Sequence, residues 1–401
     1  MLNLNDLTPF KTLFTCDLNG REINVYILPN TQFYEGNLLY PNVVVRTEGV
    51  DVKPINETVL SLKELNFRSN NKILLDVRDK DSKPYFFFIY NTDNYYHFVY
   101  DTLPYLISFF ELKKEIPDLK ILMSYPNHQK FEHYKFVTEL LNLLSITEDD
   151  ITIVSPFINY DNVYVSNSYT HDGKSNIKPR NEVYKLYHDI VKRTNDTHKT
   201  ENLPKKIYIS RRTWVSNDTS NIGTNYTTKR RLINEDEIVE YLTRNGFIEV
   251  FTENLSTVDK ILLFNNAEHI IGPIGGGLCN VLFSNKKTKL TVLSSPTFFD
   301  VNYRFIFSFE NVNYNILEIS EHTEKNKIKK FIRVKFNDKV GEVVDIDGDV
   351  VTIEYSDIDV AGWNNEIKFK RIVKNIIDIY PLDKGLNSEW VIDIKKLKEK
   401  I

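Results

Sequence analysis

The stretch from residue 206 to residue 293 constrains the fold more than any other part of the chain. Short apolar runs alternate there with longer amphipathic ones. The pattern predicts strands at Lys206–Ser210, Ile248–Phe251, His269–Ile271 and Leu290–Leu293. Helices are predicted between them, at Glu235–Asn245, Val258–Asn266 and from Leu278 towards Phe283. A helix after each strand carries the chain back to begin the next strand alongside, so this alternation implies βα units on a parallel sheet. The fold class is α/β.

The rest of the chain organises around that unit. Residues 1 to 90 hold short β-like runs, Glu22–Leu28, Asn42–Arg46, Ile73–Val77 and Tyr85–Tyr90. From Tyr95 to Leu144 the pattern is helical, with Leu103, Leu106, Ile107 and Phe110 at spacings of three and four, broken by a strand at Lys120–Met123. A strand pair, Ile151–Val154 with Asn162–Val165, precedes a helix over Glu182–Arg193. The polar stretch Thr194–Leu203, ending in Pro204, reads as a linker. Beyond residue 325, Ile332–Phe336, Gly341–Ile346 and Asp349–Tyr355 read as strands, the last two joined by a hairpin turn at Asp347-Gly348. The acidic run there places Gly fourth, whereas a calcium-binding EF-hand loop needs it sixth. Trp390–Ile401 reads as a strand or turn running into a basic helix, whose lysines form a solvated face in preference to a membrane contact. The expected domains are 1–200, 201–324, a β-rich insertion at 325–380, and a terminal segment, 381–401, returning to the core.

Composition narrows the function classes. Among 401 residues, 41% are hydrophobic, and 14 Gly with 14 Pro exclude a disordered or fibrous chain. A net charge of -4 argues against a nucleic-acid binder. Cys16 and Cys279 form neither a disulfide framework nor a metal-ligand spacing, which points to a reducing compartment. No run approaches the roughly 18 apolar residues of a membrane span, and Met1–Leu7 lacks the features of a signal peptide. The expected location is cytoplasmic, and sequons such as Asn195-Asp-Thr197 read as chance.

Three segments could carry chemistry. Gly272-Pro-Ile-Gly-Gly-Gly-Leu-Cys-Asn280 places three glycines between a strand and a helix. That arrangement brings free N–H groups and the positive helix end close to an anion, or it is simply a tight turn. Ile207-Tyr-Ile-Ser-Arg-Arg212 ends a strand in two arginines, which suit a phosphate in the crevice of an open sheet or stay solvated. Asn94-Tyr-Tyr-His-Phe-Val-Tyr-Asp-Thr-Leu-Pro104 puts His97 and Asp101 on one helical face, as a general-base pair or a structural hydrogen bond. Asp79-Lys-Asp81 reads as a polar turn in preference to a metal-binding Asp-x-Asp.

In this order the segments resemble glycosyltransferase family 61. The matching residues are Asn94, His97, Phe98, Asp101, Leu103 and Pro104; Ser210, Arg211 and Arg212; Arg231, Asn234, Glu235 and Glu237; Gly246, Phe247, Glu253, Leu255 and Ser256; and Gly272 to Phe283. Trp390-Val-Ile-Asp393 is similar to the family's usual ending. Two positions depart from the pattern. Ile274 stands where the family has His, and Gly276 where it has Ala.

The resemblance implies a GT-B architecture, two Rossmann-like domains facing a cleft. It implies inverting, metal-independent transfer of a hexosyl or pentosyl group from a nucleotide sugar, expected to be UDP-linked, to a hydroxyl of a glycan or protein, with no cofactor. Arg211, Arg212 and the turn Gly275, Gly276, Gly277 and Leu278 would hold the diphosphate, with Arg231 and Asn280 also on the donor side and Glu253 at the ribose. Asp101 would be the base, assisted by His97. The departure at Ile274 supports a second reading, a catalytically silent relative that serves as a binding or scaffolding protein. A third is another nucleotide-dependent enzyme, such as an epimerase. A second subunit and an acceptor both stay open as partners of the inserted module.

Overall fold

Two sheets built on parallel strands carry the fold. The structure, a computed structural model, describes residues 9–15, 22–28, 31–34, 37–40, 43–46, 51–54, 79–88, 94–123, 132–155, 157–172, 175–176, 179–198, 202–212, 232–295, 313–317, 320–322, 328, 330, 333–337, 339–356, 369–381 and 390–401. The expected strand at Ile73–Val77 lies outside them.

The opening strands are β1 (Lys11–Phe14) and β2 (Ile23–Leu28), followed by an antiparallel meander of β3 (Gln32–Tyr34), β4 (Asn37–Tyr40), β5 (Val43–Arg46) and β6 (Asp51–Pro54). Then come β7 (Asp79–Phe87), β8 (Lys120–Met123), β9 (Ile151–Ile153) and β10 (Ile158–Ser166). The first sheet has the order β1-β2-β10-β7-β8-β9. Its four strands β10, β7, β8 and β9 run parallel, and β2 and β1 close one side antiparallel. The strands at 151–153 and 158–166 are therefore not partners of each other, since β7 and β8 lie between them. Asp79–Asp81 is the exposed start of β7, paired with Ile158–Tyr160, and not a polar turn. Pairing with β10 overrides the local polarity, and Asp81 Oδ2 accepts from the Tyr85 hydroxyl at 2.7 Å.

Between these strands lie helices α1 (Leu106–Lys113) and α2 (Lys135–Leu143). A short ladder, β11 (His171–Asp172) with β12 (Ser175–Asn176), leads to α3 (Asn181–Thr197). This helix runs four residues beyond the expected Arg193. Its polar end is held by Thr194 and Thr197 hydroxyls that donate to the carbonyls four residues back, at 2.8 and 2.9 Å, a contact that apolar periodicity does not reveal.

The second sheet consists of β13 (Lys206–Ile209), β14 (Ile248–Val250), β15 (His269–Pro273), β16 (Lys289–Leu293) and β17 (Asn313–Leu317). All are parallel, in the order β14-β13-β15-β16-β17. Helix α4 (Glu235–Arg244) connects the first two and α5 (Thr257–Asn266) the next two. One continuous apolar cluster runs from Phe86, Leu106 and Ile121 of the first half through α3 to Ile207, Ile261 and Leu278 of the second. The opposite face of the second sheet is covered by α4 and by a returning segment, with Tyr208, Ile238, Phe247, Ile271, Trp390 and Leu397 in one cluster.

The returning segment explains the position of the module. Strand β18 (Ser320–His322) pairs antiparallel with β24 (Trp390–Ile392), which leads into α6 (Ile394–Lys400). The module between them has β19 (Arg333–Phe336), β20 (Lys339–Asp347), β21 (Val350–Ser356), β22 (Phe369–Asn375) and β23 (Tyr380–Pro381). They form an antiparallel sheet, β22-β21-β20-β19-β23, over their own core of Ile328, Val334, Phe336, Val343, Val351, Ile353 and Ile379. Asp347 pairs with Val350, so the turn residues are Gly348-Asp349, one place later than expected. Gly348 adopts φ +56°, which a residue without Cβ does at little cost. No described helix is long and apolar enough to cross a membrane.

Candidate functional site

In each sheet one parallel strand is flanked on both sides by strands that come later in the chain, so the strand order reverses there and a crevice opens at its carboxyl end. In the first sheet it is β7, whose chain proceeds to β8 on one flank and returns as β10 on the other. In the second it is β13, flanked by β14 and β15. The three candidate segments follow β7, β13 and β15, and the turns after β7 and β15 touch. A Cβ added to Gly276 would lie 3.9 Å from the Cβ of Tyr96.

After β7 the chain forms a single α-turn, Tyr95–His97, then a π-helical stretch, Phe98–Thr102, then a 3-10 turn, Leu103–Tyr105. Asn94 caps the start, its side chain accepting from the His97 amide at 3.3 Å. Pro104 has no amide proton to offer the preceding turn, and the Leu103 N–H reaches back five residues to the Phe98 carbonyl. His97 Nδ1 lies 2.6 Å from Asp101 Oδ2. Asp101 Oδ1 accepts from the Thr170 hydroxyl at 3.3 Å. The Asp101 side chain is only 2% exposed whereas that of His97 is 32% exposed, so the carboxylate lies beneath and the imidazole faces outward. A carboxylate at Nδ1 holds the proton there and leaves the lone pair on Nε2.

After β15 the chain turns at Ile274 and Gly275 into a 3-10 helix, Gly276–Phe283, whose first N–H groups have no helical acceptors. A side chain on Gly275 would collide with the Arg211 guanidinium, and a Cβ on Gly277 would come within 2.5 Å of Thr252 Oγ1. The glycines are thus needed for close approach: Arg211 packs onto the turn because Gly275 has no side chain. Ile274 is buried in the shared apolar core, and its amide donates to the Leu293 carbonyl at 3.0 Å.

The two arginines after β13 go to different places. The amide of Arg211 donates to Glu235 Oε1 at 2.7 Å. Burial lowers the pKa of its guanidinium, against the pull of Glu235 and Glu253, and arginine stays charged. Arg212 turns to the neighbouring strand, where Nε and Nη2 bind the two Glu249 oxygens at 2.9 and 2.5 Å and Nη1 binds Asp236 at 2.6 Å. These bonds raise its pKa further. Glu235, which opens α4, also accepts from Tyr208 at 3.0 Å and Ser210 at 3.2 Å, and burial raises its carboxyl pKa in spite of these donors.

A buried polar group lies behind the glycine turn. Lys260 is 3% exposed, with its ammonium 4.5 Å above the Tyr95 ring. Burial pulls its pKa down to about 8, against attraction from Glu139 and Glu253. Burial likewise pushes up the Cys279 thiol, which stays protonated at neutral pH. Burial also raises the pKa of Glu253, countered by backbone hydrogen bonding, Lys260 and Arg211. Glu253 Oε1 has no hydrogen-bond donor among the described residues.

Of the residues singled out from sequence, His97, Asp101, Arg211, Gly275, Gly276, Gly277 and Glu253 therefore gather around the facing turns. Leu278 and Asn280 are buried in the 3-10 helix, Asn280 with both ends of its amide engaged. Arg212 is taken up by Glu249 and Asp236, and Arg231 lies outside the described residues. Sequence reasoning missed Tyr95, Lys260 and the anchoring role of Glu235. A signal for Lys260 existed: Thr257, Lys260, Ile261 and Phe264 share the buried stripe of α5, a place where lysine is out of character. Among the described residues no group of three or more His, Cys, Asp or Glu is placed to hold a metal ion.

Comparison with known proteins gives one family. Residues 95–291 match the family model described as Glycosyltransferase 61. No curated protein matches the chain.

Proposed function

We infer, for a chain that belongs to glycosyltransferase family 61, an inverting transfer of a sugar from a UDP-linked donor to a hydroxyl of a glycan or protein. The observation that carries this reading is the pairing of a partly exposed, carboxylate-backed imidazole with a glycine turn and its packed arginine. The two sheets would act as the halves of a GT-B enzyme, residues 1–200 on the acceptor side and 201–324 on the donor side.

In this mechanism His97 Nε2 takes the proton of the acceptor hydroxyl as its oxygen attacks the anomeric carbon. The new carbon–oxygen bond forms on one face of the sugar while the bond to the diphosphate breaks on the other. Asp101 holds the Nδ1 proton and steadies the imidazolium that results. Burial of Asp101 beneath His97 favours this order of roles over a direct attack of the carboxylate on the acceptor proton. Arg211 and the free amides at Gly276 and Gly277 receive the charge that develops on the departing diphosphate. Glu253, with an oxygen still to be satisfied, is suited to a ribose hydroxyl. Arg212 braces β13 against β14 and so holds Arg211 in place.

A thermal-shift panel of UDP, GDP, CMP and ADP tests the donor assignment, because a ligand of the native state alone raises its melting temperature by mass action. Stabilisation by UDP in preference to the others, lost in Arg211→Gln, is the expected result. An unchanged melting temperature with all four would refute the donor site.

A further inference from the structure

Side chains that do not touch the reacting atoms meet beneath the glycine turn. Tyr95 opens the turn that carries His97 and Asp101, and its hydroxyl donates a hydrogen bond to Asn280 Oδ1. Asn280 in turn donates from Nδ2 to the Gly277 carbonyl at 2.8 Å. Above the same tyrosine ring lies the Lys260 ammonium, 4.5 Å from its centre, and Phe136 packs edge-on against it at 5.3 Å between centroids. Tyr95 is 9% exposed, Lys260 3% and Asn280 0%.

We propose that Tyr95 and Lys260 form a positioning clamp that sets the separation between the His97–Asp101 pair on one half and the Gly275–Gly277 turn on the other. The inference rests on reading these turns as base and leaving-group site. A base and a leaving group on separate sheets have to be aligned to well under an ångström for a concerted displacement, and packed apolar surfaces alone tolerate small slips. Tyr95 prevents the slip because it is fixed in three directions, by its hydroxyl on Asn280, by the cation over its face and by Phe136 at its edge. Carboxylates of both halves, Glu139 on α2 and Glu253 after β14, attract the Lys260 charge. Glu139 also accepts from the Thr257 amide at the start of α5, at 2.9 Å, which brings the helix bearing Lys260 up against the first half. An ammonium is costly to bury, and the aromatic face beneath it together with the attraction of the two carboxylates offsets that cost.

The test uses Tyr95→Phe, which keeps the ring and its cation contact and removes only the hydroxyl. Hydrogen–deuterium exchange of the full chain without ligand reads the clamp directly. Amides of residues 276–283 are expected to exchange about tenfold faster in the variant, with the module strand 350–356 unchanged. With UDP-sugar as donor, kcat is expected to fall about tenfold while donor KM stays within about threefold. Lys260→Met should show the same split. Exchange over 276–283 equal to wild type in Tyr95→Phe would overturn the clamp. So would a loss of kcat/KM that lies wholly in KM. A wild type that binds none of the nucleotides fails the donor reading alone, and the exchange result then still upholds or overturns the clamp.

Discussion

Lys260 carries its charge at a calculable cost, and replacing it by Met exposes that cost. An unfolded chain holds the lysine proton up to its ordinary 10.5, whereas burial brings the native value down to about 8. The sign follows from which state holds the proton. Below pH 8 both states are protonated and the full penalty of the buried ammonium applies. Between pH 8 and 10.5 the native state has released a proton that the unfolded chain keeps, so stability rises with pH until the penalty is gone. At 1.36 kcal/mol for each pH unit the penalty at pH 7 is about 3 kcal/mol. Methionine occupies similar volume without the charge, and the change forfeits a cation–aromatic contact worth roughly 0.5–2 kcal/mol. Lys260→Met should therefore stabilise the protein by about 1–3 kcal/mol at pH 7, and the advantage should vanish or reverse near pH 10. Urea unfolding of both proteins at pH 7 and pH 10 measures this, and the difference between them cancels the buried tyrosines and other groups they share. A variant less stable than wild type at pH 7, or an advantage that does not change with pH, would refute the reasoning. A more stable enzyme with a lower kcat would show stability given up for alignment.

Other expectations concern the facing turns and the returning segment. Asp101→Asn should lower turnover by about 10²–10⁴ while UDP affinity by calorimetry stays within a few-fold, because the carboxylate acts through His97; wild-type turnover would remove the pair from the mechanism. Arg212→Met should cost about 1–3 kcal/mol of stability by stranding Glu249, with little change in UDP affinity; lost binding at an unchanged melting temperature would give Arg212 the role assigned to Arg211. Gly275→Ala should push the Arg211 guanidinium off the turn and weaken UDP binding by roughly tenfold in a folded protein, and unchanged affinity would place the diphosphate elsewhere. Trp390→Ala should destabilise by about 3–5 kcal/mol in thermal or urea unfolding, since the indole is fully buried against the second sheet; a loss below about 1 kcal/mol would mean the returning segment is not part of that core.

What could be read from the sequence depended on how local the determinant was. Strands β13 to β16 were legible because each is a short apolar run with a helix or turn signal beside it, such as Ser256 capping α5. Strand β17 was not, because Asn313-Tyr-Asn-Ile-Leu317 is polar at its start and owes its form to pairing with β16 along all five residues. The His97–Asp101 contact follows from spacing alone, but the π-helical turn depends on Pro104 and its effect on the preceding carbonyls. The two arginines were indistinguishable in sequence. Their separation comes from neighbours across the sheet, Glu249 on β14 for Arg212 and Gly275 after β15 for Arg211. Nor could sequence tell which member of the His–Asp pair is buried, since Asp101 is held by Thr170 in the bend between β10 and β11.

The bridge between Leu232 and Trp390 also has a consequence for the order in which the protein matures during synthesis. Strands β13 to β16 emerge from the ribosome long before residues 390–397, yet Trp390, Ile392 and Leu397 complete the cover over Tyr208 and Ile271. Until then the face of the second sheet that α4 covers in part keeps an open apolar strip. The module of residues 328–381 has its own core and emerges first, so it can fold while its host is still unfinished. Its entry and exit strands, β18 and β24, then meet as the last pairing of the second half. The nascent chain thus passes through a stage with a finished appendage on an unfinished enzyme, and at that stage a chaperone that binds exposed sheet faces would find its target.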